Sequence, residues 1–244
     1  MENNNNQKLT APTAIVVAGV LIMLGIILSG GSNKWFNFKN YSNGSTDKPF
    51  STQVGVNATK FKECMDKTDL NSLLSKASQD ADKAMSGIPA DQRGTPYSII
   101  LGKNGAKAEI RGAYPKEEIF KLIDEVKSGK VSAPYTGEVE GYKEGDHIMG
   151  DPNAEIMVIE YSDLECPYCK KFGNTMKEIM NESNGDIAWV YRHWIVHQGA
   201  LPKAGASECV ATLKGNDAFW KYIDLVFSLV KTQEDVQQEE LNKL

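Results

Sequence analysis

A Cys-Pro-Tyr-Cys motif at residues 166–169 limits the fold of this chain more than any other feature of the sequence. The motif follows an apolar run, Ile156–Tyr161, and opens a stretch with helical spacing. The apolar residues that continue the helix face begun by Cys169 are Phe172, Met176, Ile179 and Met180. A strand, a sharp turn and a Cys-x-x-Cys pair at a helix start are the parts of a thiol–disulfide redox site. The sequence therefore predicts such a site between a strand and a helix.

The two cysteines of the motif are expected to differ in reactivity. If Pro167 is the first helical residue, a position that favours proline, Cys166 lies at the helix N-terminus, where the pKa of a thiol falls. Cys169 lies one turn further on, on the apolar face, and should be buried. In an exchange reaction a substrate thiolate would attack Cys166, Cys169 would leave, and a second substrate thiol would resolve the mixed disulfide.

Three other interpretations of the motif compete with redox activity. A zinc site would need two further ligands at similar spacing, whereas Cys64 and Cys209 each stand alone. A haem site would need histidine after the second cysteine, where this chain has Lys170. A structural disulfide across so short a loop would stabilise little. Redox activity is favoured, and neither a metal nor a cofactor is expected.

The N-terminal part of the chain predicts a membrane anchor. No charged residue occurs over Leu9–Asn33, and roughly 20 apolar residues are enough to span a bilayer. We therefore predict a tail at residues 1–10, a transmembrane helix at 11–31 and a flexible tether, rich in Ser, Gly and Asn, at 32–56. A cleaved signal peptide is the alternative, since small residues follow the apolar run. The flanking lysines weakly oppose this topology, so the extracytoplasmic placement depends on disulfide chemistry, which belongs outside the cytosol.

Composition narrows the expected partners and pairings. The net charge is −5 and no basic run occurs, so nucleic acid is not an expected partner. Four cysteines permit two disulfides, with three formal pairings. The short spacing of Cys166 and Cys169 leaves Cys64 and Cys209 as the natural second pair.

The other segments predict a mixed α/β fold. Residues 57–85 have helical spacing, and Asn104-Gly105 lies between two short β-like runs, which predicts a hairpin. Pro115 and Gly129 mark the start and stop of a further helix. The remaining predicted elements are strands at 97–101, 107–111 and 187–191 and helices at 204–213 and 219–230.

Several segments resemble the DsbA-like branch of the thioredoxin superfamily. Residues 161–169, Tyr-Ser-Asp-Leu-Glu-Cys-Pro-Tyr-Cys, are similar to the active-site segment of that branch. Segments similar to its next strand and its inserted helical domain are 191–194, 206–209 and 219–220. The resemblance covers most of residues 140–244 and implies a thioredoxin-like fold with an inserted helical domain.

Segments that resemble the C-terminal half of this family come first in this chain. Residues 61–64 resemble a motif of the helical domain, 94–96 the loop whose proline is cis, and 112–115 the entry to the last helix. The resemblance therefore implies a circularly permuted domain. Its parts would be a family C-terminal half at 57–129, a connector at 130–150 and a family N-terminal half at 151–244. The alternatives are that each half pairs with a half from another molecule by domain swapping, or that a half-domain folds only with a partner chain.

The resemblance also implies roles outside the motif. Thr95 and Pro96 would face Cys166 and bind substrate backbone, with a cis bond between them; the alternative is an ordinary loop. Glu160 would exchange a proton with Cys169; the alternative is a salt-bridged strand residue.

The second cysteine pair would then be structural. Cys64 and Cys209 resemble a disulfide of the helical domain, and the alternative is two free buried thiols. His193 and His197 are interpreted as structural, because no third matching metal ligand accompanies them.

The active-site loop departs from the strongly oxidising members of the family. Tyr168, beside Pro167, stands where those members have histidine and offers no positive charge to a thiolate. Glu165 is expected to oppose ionisation of Cys166. The sequence thus predicts a membrane-anchored extracytoplasmic oxidoreductase that forms disulfides in exported proteins with free thiols and is reoxidised by a membrane partner. A disulfide isomerase, a reductase and a non-catalytic peptide-binding module remain as alternatives.

Overall fold

The computed structural model describes residues 48–233 and Asp235. The predicted tail at 1–10, the predicted anchor at 11–31 and most of the predicted tether lie outside the described residues. Within the described part of the chain, every helix falls short of the length and apolar character that a membrane span needs.

The described residues form helices and strands in a mixed order along the chain. The α-helices are α1 (Phe50–Gln53), α2 (Ala58–Lys67), α3 (Leu70–Ala84), α4 (Lys116–Ser128), α5 (Pro167–Glu182), α6 (Ala200–Lys214) and α7 (Asn216–Ser228), with a 3-10 helix at Ala90–Gln92. The strands are β1 (Tyr97–Gly102), β2 (Lys107–Arg111), β3 (His147–Met149), β4 (Ile156–Ser162) and β5 (Ile187–His193).

One mixed sheet organises the domain, with strand order β2-β1-β4-β5-β3. β4 and β5 run parallel, and helix α5 connects them. The other neighbours, β1 with β2, β1 with β4 and β3 with β5, are antiparallel. β4 and β5 have nearly continuous apolar sequences. Such sequences suit strands of the sheet interior, where both faces are covered. The β1–β2 hairpin, which comes earlier in the chain, flanks β4 on the side opposite β5.

Two apolar cores cover the two faces of the sheet. Alternate residues of a strand point to opposite faces, so Val158 of β4 belongs to the larger core and Ile159 to the smaller one. The larger core contains residues of α4, α5, α6 and α7, and the smaller one contains the end of α3 and Ile88. The larger core also contains both cysteines of the motif.

The structure corrects the predicted organisation in two places. The helical pattern at 57–85 is two helices, because the Asp69 side chain caps α3 by accepting the N–H of Ser72 at 3.0 Å. The predicted tether at 32–56 extends too far, since the buried Phe50 ring packs edge-on against Tyr222 of α7. Burial of apolar side chains there outweighs the flexible composition of the segment.

Candidate active site

The turn between β4 and α5 holds the Cys-Pro-Tyr-Cys motif. β4 ends at Ser162, and α5 begins at Pro167 with Cys166 directly before it. Proline suits the first helical position because it has no N–H to leave unpaired there. Cys166 is 4% exposed, whereas Cys169 is fully buried, and both are free thiols. Cys166 is therefore the sulfur that a substrate can reach.

The two thiols also differ in acidity. A hydrogen bond from the Cys169 thiol, followed by others from the Thr95 side chain and the N–H groups of Cys169 and Tyr168, lowers the pKa of Cys166 to about 6 against the effect of burial. Burial first, and then the hydrogen bond to Cys166 and the charge of Glu160, raise the pKa of Cys169 above its usual value. At neutral pH the site therefore holds a thiolate at Cys166 and a thiol at Cys169.

The Thr95–Pro96 segment lies beside the reactive sulfur. The peptide bond between these residues is cis. Cys166 Sγ lies 3.4 Å from the Thr95 carbonyl oxygen, to which its thiol form donates a hydrogen bond. Pro96 directly precedes β1. The pairing of Tyr97 with Tyr161 of β4 brings the Thr95–Pro96 segment to the end of β4, where the turn that carries the motif begins. Thr95 is thus in contact with Cys166.

Glu160 is a buried acid of β4. It is 1% exposed and accepts a hydrogen bond from Trp189 Nε1 at 2.9 Å. Burial raises the pKa of Glu160 to about 7, and the Trp189 hydrogen bond only partly offsets this. Among the described residues it forms no salt bridge; it lines a cavity of about 340 Å³ between α5 and α7, together with Lys170 and Lys177. An acid with a pKa near neutrality that reaches a cavity can both give and take a proton.

The charge of Glu165 is compensated, which corrects the sequence-based expectation that it opposes ionisation of Cys166. Lys203 Nζ of α6 lies 2.9 Å from Glu165 Oε1. The carboxylate also lies against Gly199, the residue before α6, where an added Cβ would come within 2.2 Å of Oε1. It therefore occupies the partly positive N-terminal end of that helix. Nothing in the sequence links Lys203 to the motif, since only the fold brings them together.

Tyr168 acts on the thiolate through its backbone. Its N–H group helps to lower the pKa of Cys166. Its ring is 62% exposed, and Val196, on the loop before α6, is also exposed. Apolar side chains thus border the motif on its accessible side.

Asp163 is a site residue that the sequence analysis did not single out. It is fully buried, and its carboxylate accepts the N–H groups of Glu165, Val196 and His197 at 2.8, 2.7 and 2.9 Å. Its own N–H donates to Cys169 Sγ at 3.4 Å. An aspartate directly after an apolar strand was the available signal, but its partners on the distant loop could not be read from the sequence. Asp163 holds the motif and that loop together.

The second cysteine pair is a disulfide between α2 and α6. Cys64 and Cys209 have their Cα atoms 5.8 Å apart. The neighbouring Glu208 bonds His147 Nε2 at 2.8 Å and lies 3.3 Å from His193 Nε2. Although burial acts against it, these hydrogen bonds lower the pKa of Glu208 to about 2. Over residues 48–233, no group of three or more His, Cys, Asp or Glu side chains is arranged to hold a metal.

Comparison with known proteins shows that the motif lies in a region that is similar to other protein sequences. The family model described as thioredoxin matches residues 142–243. The Na(+)/H(+) antiporter NhaA 1 of Mycobacterium sp. (strain KMS) is 31% identical over 101 residues, which are 40% of this chain and 16% of that protein. NhaA of Herminiimonas arsenicoxydans is 32% identical over 83 residues, 34% of this chain and 13% of that protein. The chain thus covers only 16% and 13% of the length of these two relatives.

Among solved structures, DsbA2 of Pseudomonas aeruginosa is 33% identical, with 36% of this chain and 50% of that chain covered and a TM-score of 0.33. The region that matches the family model contains the motif, which the structure places at the turn from β4 into α5. Residues 142–243, which include the Cys-Pro-Tyr-Cys motif, are therefore the part of this chain that matches the thioredoxin family.

Proposed function

We propose that the protein is a thiol–disulfide oxidoreductase that uses Cys166 and Cys169 to form disulfides in exported proteins. The observation that carries this proposal is the split in thiol acidity, with the pKa of Cys166 lowered to about 6 and that of Cys169 raised. A purely structural cysteine pair needs no such split. Exchange chemistry needs it, because one sulfur must react and leave readily while the other stays ready to close the disulfide.

The proposed reaction begins with a disulfide between Cys166 and Cys169. A substrate thiolate attacks Cys166 Sγ, a bond forms between these two sulfurs, and the electron pair of the broken bond goes to Cys169, which takes a proton from Glu160. A second substrate thiolate attacks the substrate sulfur of the mixed disulfide, and Cys166 leaves as a thiolate. The substrate gains a disulfide, and the protein is left with the reduced pair.

The acidity of Cys166 lies between those of a reducing and a strongly oxidising relative of this chemistry. Its pKa of about 6 lies between the values for thioredoxin, about 7, and DsbA, about 3.5. The potentials of those proteins are about −270 and −120 mV, so we expect a potential inside this interval. A disulfide isomerase or a reductase is the alternative within the same chemistry. A non-catalytic peptide-binding module is the alternative outside it, since Thr95 and the exposed Tyr168 could bind peptide without exchange.

We propose that residues 11–31 anchor the domain in the cell membrane and that residues 57–244 lie on the extracytoplasmic side. The support is the uncharged run at the N-terminus and the chemistry of the motif, which needs an oxidising compartment. A membrane redox partner would reoxidise the reduced pair. Resistance of the full chain to alkaline extraction from membranes tests the anchor, and release into the supernatant would contradict it.

We also propose that the domain is circularly permuted. Elements β1, β2 and α4 precede the motif in the chain, although their counterparts follow it in the family that the sequence resembles. The pairing of β1 with β4 within one chain supports permutation over domain swapping. Solution mass of the full chain distinguishes these possibilities, because a swapped domain or a half-domain that folds only with a partner chain requires a dimer or a larger assembly.

The reduction potential of the Cys166–Cys169 pair tests the proposed function. The full chain is equilibrated in glutathione buffers, and free thiols are trapped at each step, with Cys64→Ala/Cys209→Ala protein as the matched control. A reversible couple between about −120 and −270 mV is the expected result. A value at the thioredoxin end would favour a reductase or an isomerase, and the absence of any reversible couple would contradict the enzymatic proposal.

A further inference from the structure

A second cavity, distinct from the one at Glu160, opens beside the Thr95–Pro96 segment. Its volume is about 180 Å³. It lies at the end of the β1–β2 hairpin, where Gly112 N–H donates to the Pro96 carbonyl oxygen at 2.9 Å. The wall includes two charged side chains, Arg93 and Arg111, and no carboxylate. The cavity wall therefore presents two guanidinium groups, each paired with a carboxylate that does not line the cavity, Arg93 with Asp82 and Arg111 with Glu109.

Both guanidinium groups are held in place by hydrogen bonds to neighbouring residues. Arg93 donates from Nε to the Ile88 carbonyl oxygen and from Nη1 to Asp82, both at 2.8 Å. Arg111 donates from Nε and Nη2 to the same oxygen of Glu109. Arg93 Nη2 and Arg111 Nη1 form no hydrogen bond to another described residue. Each arginine thus keeps one terminal donor available, on a side chain that is already positioned.

The cavity is connected to the reactive sulfur through one residue. Thr95 lines the cavity, and its carbonyl oxygen contacts Cys166 Sγ at 3.4 Å. The Thr95 N–H has no hydrogen-bond partner among the described residues. An extended peptide advances about 3.3–3.6 Å per residue, so a side chain close in sequence to a substrate cysteine at Cys166 would reach the Arg93–Arg111 wall.

We propose that this cavity is a specificity subsite that binds an acidic side chain near the substrate cysteine. This inference builds on the proposed function, because it needs a substrate sulfur at Cys166. A substrate carboxylate there would accept charge-assisted hydrogen bonds from Arg93 Nη2 and Arg111 Nη1. The backbone of the substrate peptide would pair with Thr95. The substrate class is thus narrowed to exported polypeptides, or small peptide thiols, with Asp or Glu flanking a cysteine.

The test uses synthetic single-cysteine peptides and the oxidised full chain. Glu, Gln or Lys is placed one or two residues before or after the cysteine, and mixed-disulfide formation is followed by acid quench and mass spectrometry. Each rate is divided by the rate of the same peptide with hydroxyethyl disulfide, which removes differences in intrinsic thiol reactivity. At one position at least, the Glu peptide should react about fivefold faster than the Gln peptide, and the Lys peptide should be the slowest. The preference should shrink as salt is added.

Variants of Arg93 and Arg111 test whether the preference for the Glu peptide arises at this cavity. Arg93→Gln/Arg111→Gln should remove the Glu preference while leaving the rate with the Gln peptide in place. Lys121→Gln removes one positive charge on α4, where Lys121 pairs with Glu118. It is the matched control for the single change Arg111→Gln and should keep the preference. If the double variant fails to fold, the single change Arg111→Gln, at the more exposed of the two arginines, should reduce the preference. Equal normalised rates for Glu, Gln and Lys at every position would overturn the subsite alone. Absence of mixed disulfide with every peptide would instead overturn the proposed function, and the subsite with it.

Discussion

The two cysteine pairs of this domain place the same side chain in opposite settings. Cys166 directly precedes α5, Cys169 lies in its first turn, and both are free thiols. Cys64 and Cys209 lie 145 residues apart and form a disulfide that joins two helices. A bond that closes a short loop constrains the unfolded chain little, whereas a bond across a long loop constrains it strongly. The first pair can open and close at small cost to folding, and the second is suited to holding the fold.

The surroundings of the sulfurs differ as well. Hydrogen bonds around Cys166 favour its thiolate. Cys209 is buried, and its sulfur lies 3.3 Å from the Thr68 hydroxyl oxygen. A cysteine's role therefore depends on the donors near the sulfur and on the length of chain that its bond closes, rather than on the residue type.

The largest expected difference between the pairs is in turnover. Cys166→Ser should slow disulfide formation in a dithiol peptide by roughly 10³-fold or more, because it removes the attacked sulfur. Cys64→Ala/Cys209→Ala should keep most of the activity. Quenched time courses that count the remaining peptide thiols measure the rate of disulfide formation for both variants. A Cys166→Ser protein that retains a tenth of the rate would break the distinction.

Stability should show the reverse pattern. Cys64→Ala/Cys209→Ala should lower the free energy of unfolding of the oxidised protein by about 5 kcal/mol, because the lost bond closes a loop of 145 residues. Cys166→Ser/Cys169→Ser should lower it by less. Guanidinium titrations compare the variants, and a loss below about 1 kcal/mol for the first would argue against a stabilising role.

Glu160 should exchange protons between the fully buried Cys169 thiol and solvent without affecting Cys166. Glu160→Gln should slow release of Cys169 from the disulfide by roughly tenfold to a hundredfold while leaving alkylation of Cys166 nearly unchanged. The pKa of Glu160 is raised from 4.5 to about 7 in the folded protein, so stability falls as pH rises between these values. The Gln variant should therefore be more stable than the wild type at pH 8, by up to about 3 kcal/mol. Equal stability at pH 8 would contradict the raised pKa.

The smallest expected effect is the pH profile of Cys166. Its rate of alkylation should fall about tenfold per pH unit below its pKa of about 6 and level off above it. Since this pKa is lowered, the thiolate's contribution to stability of the reduced protein is complete above the unfolded value of 9.0 and is lost as pH falls through about 6. Iodoacetamide labelling followed by mass spectrometry gives the profile. A midpoint near 9 would contradict the lowered pKa of Cys166.

Local features were the most predictable. The apolar run before the motif, Pro167 at the first helical position and the Asn104-Gly105 turn led to a strand, a helix and a hairpin that the structure contains. Such features depend on a few neighbouring residues, so they can be recognised in sequence. The break between α2 and α3 was missed because the spacing of apolar residues continues through the Asp69 cap.

The sequence by itself determined the position of the motif and most of the longer helices and strands, because both follow from adjacent residues. Only the tertiary structure decided which charges the thiolate meets. Lys203 compensates Glu165, Thr95 contacts Cys166, and Arg93 lies with Arg111 at one cavity. These groups are far apart in the chain, and their distances depend on how the sheet and helices pack. Electrostatic effects change steeply with distance and burial, so they could not be read from the order of residues alone.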